Sequence, residues 1–206
     1  MDLLTLIKER RSVRQFLKEP IPHEDLEEIL EAAQWAPSGG NKQGWKFIVI
    51  KNPDLLDEMS KMVGDKIDKL AEEAGLGNKL KGNKVMATFF NQAPVTIAVF
   101  MERYISKIEE ALEGLGYQPL EIQRLRGQSD LQSIGAAIQN ILLMAHSKGY
   151  GSCWLCSPNI ASPEIEKLLG VAENWQLKAL VPIGKPARDY KAPVRKDLTE
   201  IVEYRD

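Results

Sequence analysis

Apolar side chains recur along this chain with two spacings, one typical of helices and one typical of strands. The clearest helical stripe covers residues 129–149, where large apolar residues return every three or four positions. Ser129 followed by Gln132 is typical of a capping box, and Gly149 stands where a C-terminal glycine cap is expected. Weaker stripes predict further helices, at residues 3–7, 22–35, 53–63 and 163–169.

Four short apolar runs have the length of buried strands. They lie at residues 45–51, 94–100, 152–155 and 177–183. Strands that alternate with helices predict helical layers around one sheet, in a mixed α/β or α+β fold. Because no glycine-rich dinucleotide-binding or phosphate-loop pattern follows any run, neither a Rossmann domain nor a P-loop is supported. We expect a single domain over residues 1–206.

Three regions interrupt the regular pattern. Residues 64–92 are rich in glycine and lysine, which predicts a variable helical insertion made of short pieces. Residues 102–128 are polar and broken by glycine and proline, and a long insertion of this kind often covers a binding site, so we expect a lid. Residues 185–206 form a polar, proline-containing C-terminal extension.

Composition narrows the possible partners. The chain has 206 residues, of which 44% are hydrophobic and 27% are charged, with a net charge of -2. A chain of this charge has no overall field that attracts nucleic acid or an anionic membrane. No apolar run approaches the roughly 20 residues that a membrane span needs. The first residues also lack a signal-peptide pattern, so we expect a cytoplasmic protein without a nucleic-acid or membrane partner.

The strongest chemical signal is a group of cations near the N-terminus. Arg10, Arg11 and Arg14 surround Ser12 in a predicted turn between two helices. Arginine suits phosphate because its planar fork donates two parallel hydrogen bonds. The alternative is a solvated basic turn with no ligand.

Two cysteines are too few for a disulfide scaffold. Cys153 and Cys156 form a Cys-x-x-Cys pair that follows a predicted strand, whereas a thioredoxin-like motif opens a helix. A zinc site would need two more ligands, and His23 and His146 are the only histidines. We therefore expect buried structural cysteines, with a thiol redox module as the alternative.

Several segments, in their order and spacing, resemble the FMN-dependent nitroreductase family. They are residues 10–16, 36–45, 149–154, 181–186 and 193–198. The resemblance covers residues 3–202 and implies an α+β sandwich around a central mixed, mainly antiparallel sheet flanked by helices. It also implies an intertwined homodimer with FMN at the subunit interface. The chain departs from the family at Gly44, where proline commonly precedes the tryptophan.

The resemblance implies three groups of cofactor-binding residues. Those expected at the phosphate and ribityl chain are Arg10, Ser12 and Arg14, closed from the tail by Arg195 and Lys196, and Arg11 matches a position that also contacts the flavin in relatives. Those expected against the flavin of the partner subunit are Pro37, Ser38, Gly39 and Asn41. Those whose backbone is expected beside the flavin ring, near N5 and O4, are Leu155, Cys156 and Ser157. The alternatives are a solvated tail pair for Arg195 and Lys196, and an ordinary helix-ending turn for residues 37–41.

The implied reaction passes a hydride from NADH or NADPH to flavin N5 and then to a nitroaromatic or quinone-like acceptor, with ping-pong kinetics. No side chain is expected to be catalytic, because the cofactor supplies the chemistry. Tyr104 and Tyr117 of the expected lid are candidates for substrate contact. The alternatives are a specialised dehalogenase or flavin-fragmenting enzyme of the same superfamily, and a flavin-binding or flavin-sensing protein without turnover.

Overall fold

The computed structural model describes residues 2–205 and has a four-stranded sheet at its centre. The strands are β1 (Trp45–Ile50), β2 (Val95–Glu102), β3 (Gly151–Ser152) and β4 (Trp175–Gly184), in the order β1-β2-β4-β3. Each strand pairs with its neighbour in antiparallel fashion. A single parallel bridge, from Ser12 to Ser152, extends the sheet beyond β3 and makes it mixed. The expected mixed, mainly antiparallel sheet is therefore confirmed.

Eight α-helices among the described residues surround this sheet. They are α1 (Leu3–Glu9), α2 (His23–Gln34), α3 (Pro53–Glu73), α4 (Lys81–Thr88), α5 (Lys107–Gly114), α6 (Pro119–Arg126), α7 (Ser129–Ser147) and α8 (Ser162–Leu168). Short 3-10 turns lie at Gly39–Asn41, Gly77–Leu80, Phe89–Gln92, Ser157–Ala161 and Leu198–Glu200. No helix within residues 2–205 has both the length and the apolar character that crossing a bilayer requires.

The sheet separates two hydrophobic cores. In β2, Ile97 and Val99 face the core formed with α2 and α7. Ala98 and Phe100 face the opposite core, which α3 and α8 help to form. Because successive side chains of a strand point to opposite faces, a strand buried on both sides is apolar at nearly every position. This explains why the strands are continuous apolar runs.

Helix α7 ends as expected but begins differently. Gly149 has a φ of +81°, and the N–H of Tyr150 donates to the carbonyl of Ala145 at 2.9 Å, which is the bond of a glycine-capped C-terminus. The predicted capping box at the N-terminus is wrong. The side chain of Gln132 instead donates to the carbonyl of Gly127 at 2.6 Å, and Ser129 is already helical.

Helix α3 is ten residues longer than predicted, because it ends at Glu73 and not at residue 63. The pattern from residue 64 onward predicted short helical pieces, yet the buried side chains of Val63, Ile67 and Ala71 continue the stripe. A side chain at position 64 would approach Cε of Lys84 to 2.9 Å. This glycine therefore lets α4 pack closely against α3.

The region expected to be an irregular lid is mostly helical. Residues 102–128 contain α5 and α6, and the carboxylate of Glu109 at the start of α5 accepts from Arg103 at 2.5 Å. Leu115, Leu120 and Leu125 are exposed on these two helices. Residues 102–128 thus form a helical segment with an apolar outer surface, and its role as a lid stays a prediction.

Candidate cofactor site

The basic residues near the N-terminus lie in an extended segment against the sheet edge. We call residues 10–14 the arginine turn. The N–H of Val13 donates to the carbonyl of Ser152 at 2.9 Å. The neighbouring position in β3 is Gly151, where any side chain would collide with Val13. Pairing with β3 and this close approach hold the arginine turn to the sheet.

The C-terminal tail packs on the other side of this segment. The N–H of Leu17 donates to the carbonyl of Lys185 at 2.9 Å, and that of Ala187 donates to the carbonyl of Gln15 at 3.0 Å. Phe16 and Pro186 form an antiparallel bridge between these bonds. The two distant ends of the chain are therefore joined directly beside the arginine turn.

Tyr190 strengthens this junction. Its hydroxyl accepts hydrogen bonds from the N–H groups of Arg14, at 3.0 Å, and Gln15, at 2.9 Å. The guanidinium of Arg188 lies 5.2 Å from the centroid of its ring. Tyr190 was not predicted as a site residue. The sequence marks it only as an isolated aromatic residue among polar residues of the tail.

The cations predicted to bind phosphate approach one another. Burial lowers the pKa of the Arg10 guanidinium; Cys153 opposes this, and the charges of Arg195 and Arg11 lower the pKa further. Nη1 of Arg10 and Nε of Arg11 are buried without a hydrogen-bond partner within residues 2–205. Unpaired buried donors of like charge are unfavourable unless an anion neutralises them. This donor set therefore fits a phosphate group.

The remaining members of the expected phosphate site lie at its surface. Arg14 is exposed, and its Nη1 donates to the carbonyl of Ser12 at 3.2 Å. Ser12 is partly buried through its bridge to β3. Arg195 and Lys196 are both exposed. The structure thus brings Arg195 to the cluster, whereas Lys196 is placed only as its neighbour in the tail.

The two cysteines have different surroundings. Cys153 is buried, and burial raises the pKa of its thiol, although Arg14, a hydrogen bond from Ser12 and Arg10 act in the opposite direction. Cys156 is exposed, so the expectation of two buried cysteines is right for one and wrong for the other. Both are free thiols. Among residues 2–205, no cluster of three or more metal-binding side chains accompanies them.

Residues 37–43 form a second candidate element, which we call the glycine turn. Three of its residues have left-handed backbone conformations: Gly40 at φ 59°, Asn41 at φ 53° and Gln43 at φ 53°. Within the turn, the hydroxyl of Ser38 accepts from the N–H of Gln43 at 3.0 Å. The N–H of Gly39 donates to the Ser133 hydroxyl of α7 at 3.4 Å. Pro37, Gly39 and Asn41 are exposed.

Gly44, where the chain departs from the family pattern, lies at the end of the glycine turn. Its carbonyl accepts from the N–H of Glu102 at 3.0 Å. A side chain at this position would approach the Glu102 carbonyl to 3.2 Å. Nearby, Nζ of Lys42 lies 5.8 Å from the ring centroid of Tyr104. Tyr104 is therefore next to the glycine turn, as a residue of the expected lid would be.

The segment expected beside the flavin ring follows β3. Leu155 exchanges two hydrogen bonds of 2.9 Å with Leu180, so both of its backbone groups are already paired. Cys156 and Ser157 come next, are exposed, and begin a 3-10 turn. Within Leu155–Ser157, the amides of Cys156 and Ser157 are therefore the better candidates to face a ligand.

Helix α7 separates the arginine turn from the glycine turn within one chain. The glycine turn contacts Ser133, whereas His146 lines one cavity together with Arg11. At 1.5 Å per residue, these two positions on α7 are roughly 20 Å apart. The structure therefore does not bring the two turns of one chain to one site. Assignment of the glycine turn to the flavin of the partner subunit stays a prediction.

Comparisons with known proteins match this chain along most of its length. A model of the Nitroreductase family matches residues 7–185. An iodotyrosine deiodinase from Nematostella vectensis is 29% identical over 205 residues, covering 95% of this chain and 72% of that protein. A putative NADH dehydrogenase/NAD(P)H nitroreductase from Archaeoglobus fulgidus is 30% identical over 187 residues, covering 90% of this chain and 86% of that protein.

Solved structures show the same fold. A BluB-like flavoprotein from Clostridium difficile 630 superimposes with a TM-score of 0.89 at 33% identity, and each chain is covered completely. A nitroreductase with bound FMN from Desulfitobacterium hafniense DCB-2 superimposes with a TM-score of 0.73 at 27% identity, covering 98% of this chain and 97% of that one.

Proposed function

Because the chain belongs to the nitroreductase family, we propose that it is an FMN-dependent oxidoreductase that uses NADH or NADPH to reduce a nitroaromatic or quinone-like acceptor. When bound, FMN would supply the hydride-transfer chemistry. The observation that carries the proposal is the cation cluster, in which Arg10 and Arg11 have buried nitrogens without partners and Arg195 is close by.

The cation cluster would hold the FMN phosphate. A phosphate monoester carries close to two negative charges near neutral pH and offers three acceptor oxygens. Arg10 and Arg11 supply the buried donors, while Arg14, Arg195 and Lys196 supply exposed ones. The arginine turn is held by backbone bonds to β3 and to the tail, so its donors are in place before the anion binds.

The remaining cofactor contacts would come from backbone groups. The amides of Cys156 and Ser157 follow the Leu155 pairing with β4 and would donate toward the ring, where they stabilise negative charge. The glycine turn of the partner subunit would face the pyrimidine edge. Asn41 suits that edge because its amide both donates and accepts.

A homodimer completes this site. Large apolar side chains are exposed at both ends of the chain, including Leu3 at 66%, Val194 at 98% and Tyr204 at 89%. Trp35, beside the glycine turn, is 80% exposed. Apolar surface of this extent is typical of an interface with another molecule. The expected mass in sedimentation is about twice 23.1 kDa, and a flavin-loaded monomer would contradict the proposal.

The decisive experiment is the visible spectrum of the purified protein under argon. We expect bound flavin that is bleached by NADH or NADPH and restored by a nitroaromatic compound. A folded protein that stays colourless and does not take up FMN would overturn the proposal. Bound flavin that neither nicotinamide reduces would instead indicate a flavin-binding or flavin-sensing protein, and permanent loss of the flavin spectrum in oxygen would indicate a flavin-fragmenting enzyme.

A reductive dehalogenase is the second candidate, because several relatives are named iodotyrosine deiodinase, with identities of 26% to 29%. The two candidates differ in the reaction of the reduced enzyme. Halide release from a halogenated tyrosine, measured after reduction with dithionite, would favour the dehalogenase. Faster turnover of a nitroaromatic with NADH or NADPH, without halide release, would favour the oxidoreductase.

A further inference from the structure

A cavity lies beneath α6, away from the arginine turn. It has a volume of about 270 Å³ and lies between α6 on one side and the ends of β2 and β4 on the other. Its apolar lining includes Met101, Ile122 and Leu131. Its charged lining consists of three cations and two carboxylates, which are Arg103, Arg126, Lys178, Glu109 and Asp130. The cavity thus combines an apolar part with an excess of positive groups.

A β-bulge sends the lysine into this cavity. Val99 of β2 pairs with Ala179 of β4, but the next residue, Phe100, pairs with Leu177. Lys178 is the extra residue, and bulges of this type redirect a side chain locally. The ammonium group donates to the side-chain oxygen of Gln176 at 2.8 Å, and burial lowers the pKa of Lys178 although Glu166 opposes this.

Two of the three cations that line the cavity, Arg126 and Lys178, have no carboxylate partner in the described part of the chain. Within residues 2–205, no ion pair involves Arg126 or Lys178, and Nε of Arg126 is buried without a hydrogen-bond partner. Arg103, which also lines the cavity, differs because it pairs with Glu109 and with Glu113. The cavity therefore contains positively charged hydrogen-bond donors that no carboxylate of the described residues neutralises.

Two carboxylates line the cavity. Glu109 pairs with Arg103, whereas Asp130 is turned to the backbone. An oxygen of Asp130 accepts from the N–H of Tyr104 at 3.2 Å. Asp130 also lies in the first turn of α7, where the helix dipole stabilises a negative charge. The residue before this helix, Gln128, has a φ of 52° and makes no capping bond with its side chain. This end of α7 therefore adds positive potential to the cavity.

We propose that the cavity beneath α6 binds a small organic carboxylate, with its apolar body against Met101 and Ile122 and its carboxylate between Arg126 and Lys178. The apolar walls select against inorganic anions, and the volume excludes polymers. This site is separate from the arginine turn and goes beyond the proposed flavin chemistry. Its ligand is a carboxylate because two of the lining cations, Arg126 and Lys178, have no carboxylate partner within residues 2–205 and can donate to an anion.

Isothermal titration calorimetry on the purified protein tests the proposal with benzoate and its neutral counterpart benzamide. We expect saturable binding of benzoate and at least tenfold weaker binding of benzamide, which is the effect of losing one charge-assisted contact. Equal affinity for the two compounds, or no saturable binding of benzoate, would overturn the proposal.

Variants locate the binding site. Arg126→Gln and Lys178→Gln should each weaken benzoate binding at least tenfold, while Arg124→Gln, which removes an exposed cation of the same helix, should leave it unchanged. Arg126→Lys keeps the charge and should retain most of the affinity, which separates electrostatics from packing. Wild-type affinity in both glutamine variants would place benzoate elsewhere and refute the site. Flavin content should be unchanged in all four variants, so this result is independent of the FMN proposal.

Discussion

The arginine turn and the glycine turn are both expected at the cofactor, yet the rest of the chain fixes the first by several hydrogen bonds and the second only weakly. The arginine turn is bonded to Ser152 on one side and to Tyr190 of the tail on the other. The glycine turn has three left-handed residues, is mostly exposed, and has a long bond of 3.4 Å to Ser133 as its contact with α7.

This difference indicates that the two turns would contribute differently to ligand binding, one to the affinity and the other to the shape of the site. Donors that are fixed before binding lose little entropy when a ligand arrives, so the arginine turn is suited to supply affinity. Left-handed residues other than glycine are strained, and such strain is typical of positions that contact another molecule. The glycine turn is therefore suited to shape the site once a partner subunit is present.

The largest effect is expected from removal of a buried cation. Arg10→Ala should weaken FMN binding about 100-fold, since it deletes charge-assisted bonds that are worth about 1.5–3 kcal/mol each. Titration of the apo-protein with FMN, followed by quenching of flavin fluorescence, measures this. Lys61→Ala removes an exposed cation that pairs with Asp65 and should change nothing. Affinities within threefold of each other would show that Arg10 does not hold the phosphate.

A smaller loss is expected when one contact between the tail and the arginine turn is removed. Tyr190→Phe deletes the hydroxyl that accepts from Arg14 and Gln15, and we expect FMN binding about tenfold weaker because Arg14 is then held less firmly. Tyr204→Phe is the matched control, because Tyr204 is 89% exposed. If both variants bind FMN equally well, the tail does not order the arginine turn.

The glycine turn should respond in stability. Gly40→Ala places a side chain at a φ of 59°, where nothing lies within 4 Å of it, so the cost is conformational only. We expect the free energy of unfolding in urea to fall by about 1 kcal/mol. Gly39→Ala also meets open space but has no positive φ, and should be neutral. Equal stability of the two variants would contradict the left-handed turn.

The smallest effect concerns pH. Burial lowers the pKa of His146 below 6.5; Glu9 opposes this, and the charges of Arg10 and Arg11 lower it further. The unfolded chain then binds the proton more tightly than the folded one, so stability is lost as the pH falls through 6.5. Thermal unfolding at about pH 7.5 and about pH 5.5 should show a smaller drop for His146→Gln than for the wild type. The same drop in the wild type and in His146→Gln would contradict the argument.

Most of the fold could be predicted because its signals are local. Strand β2 is buried on both faces, so its residues form one apolar run, and α7 has one long stripe that ends at Gly149. The end of α3 was missed because the apolar pattern weakens after residue 63 among glycines and lysines, and Gly64 in fact makes room for Lys84. That contact joins α3 to α4, and no local pattern contains it.

The candidate sites also contain some residues that could be predicted from the sequence and others that could not. The cations of the arginine turn and Arg195 could be proposed from residue type and order along the chain. Tyr190 could not, because its role depends on hydrogen bonds to Arg14 and Gln15, which precede it by 176 and 175 positions along the chain. Lys178 could not either, because it reaches its cavity through a bulge that changes the strand register. Residue types are read directly from a sequence, whereas such long-range geometry is not.

Gly151 has neither charge nor a polar side chain, yet the electrostatics of this molecule depend on it. A methyl group at this position would push Val13 away from β3, and the guanidinium groups on either side would move with it. Under the proposed function, Gly151→Ala would therefore bind FMN more weakly through crowding alone, although it changes no predicted cofactor-binding residue. The affinity proposed for FMN thus depends in part on one missing side chain.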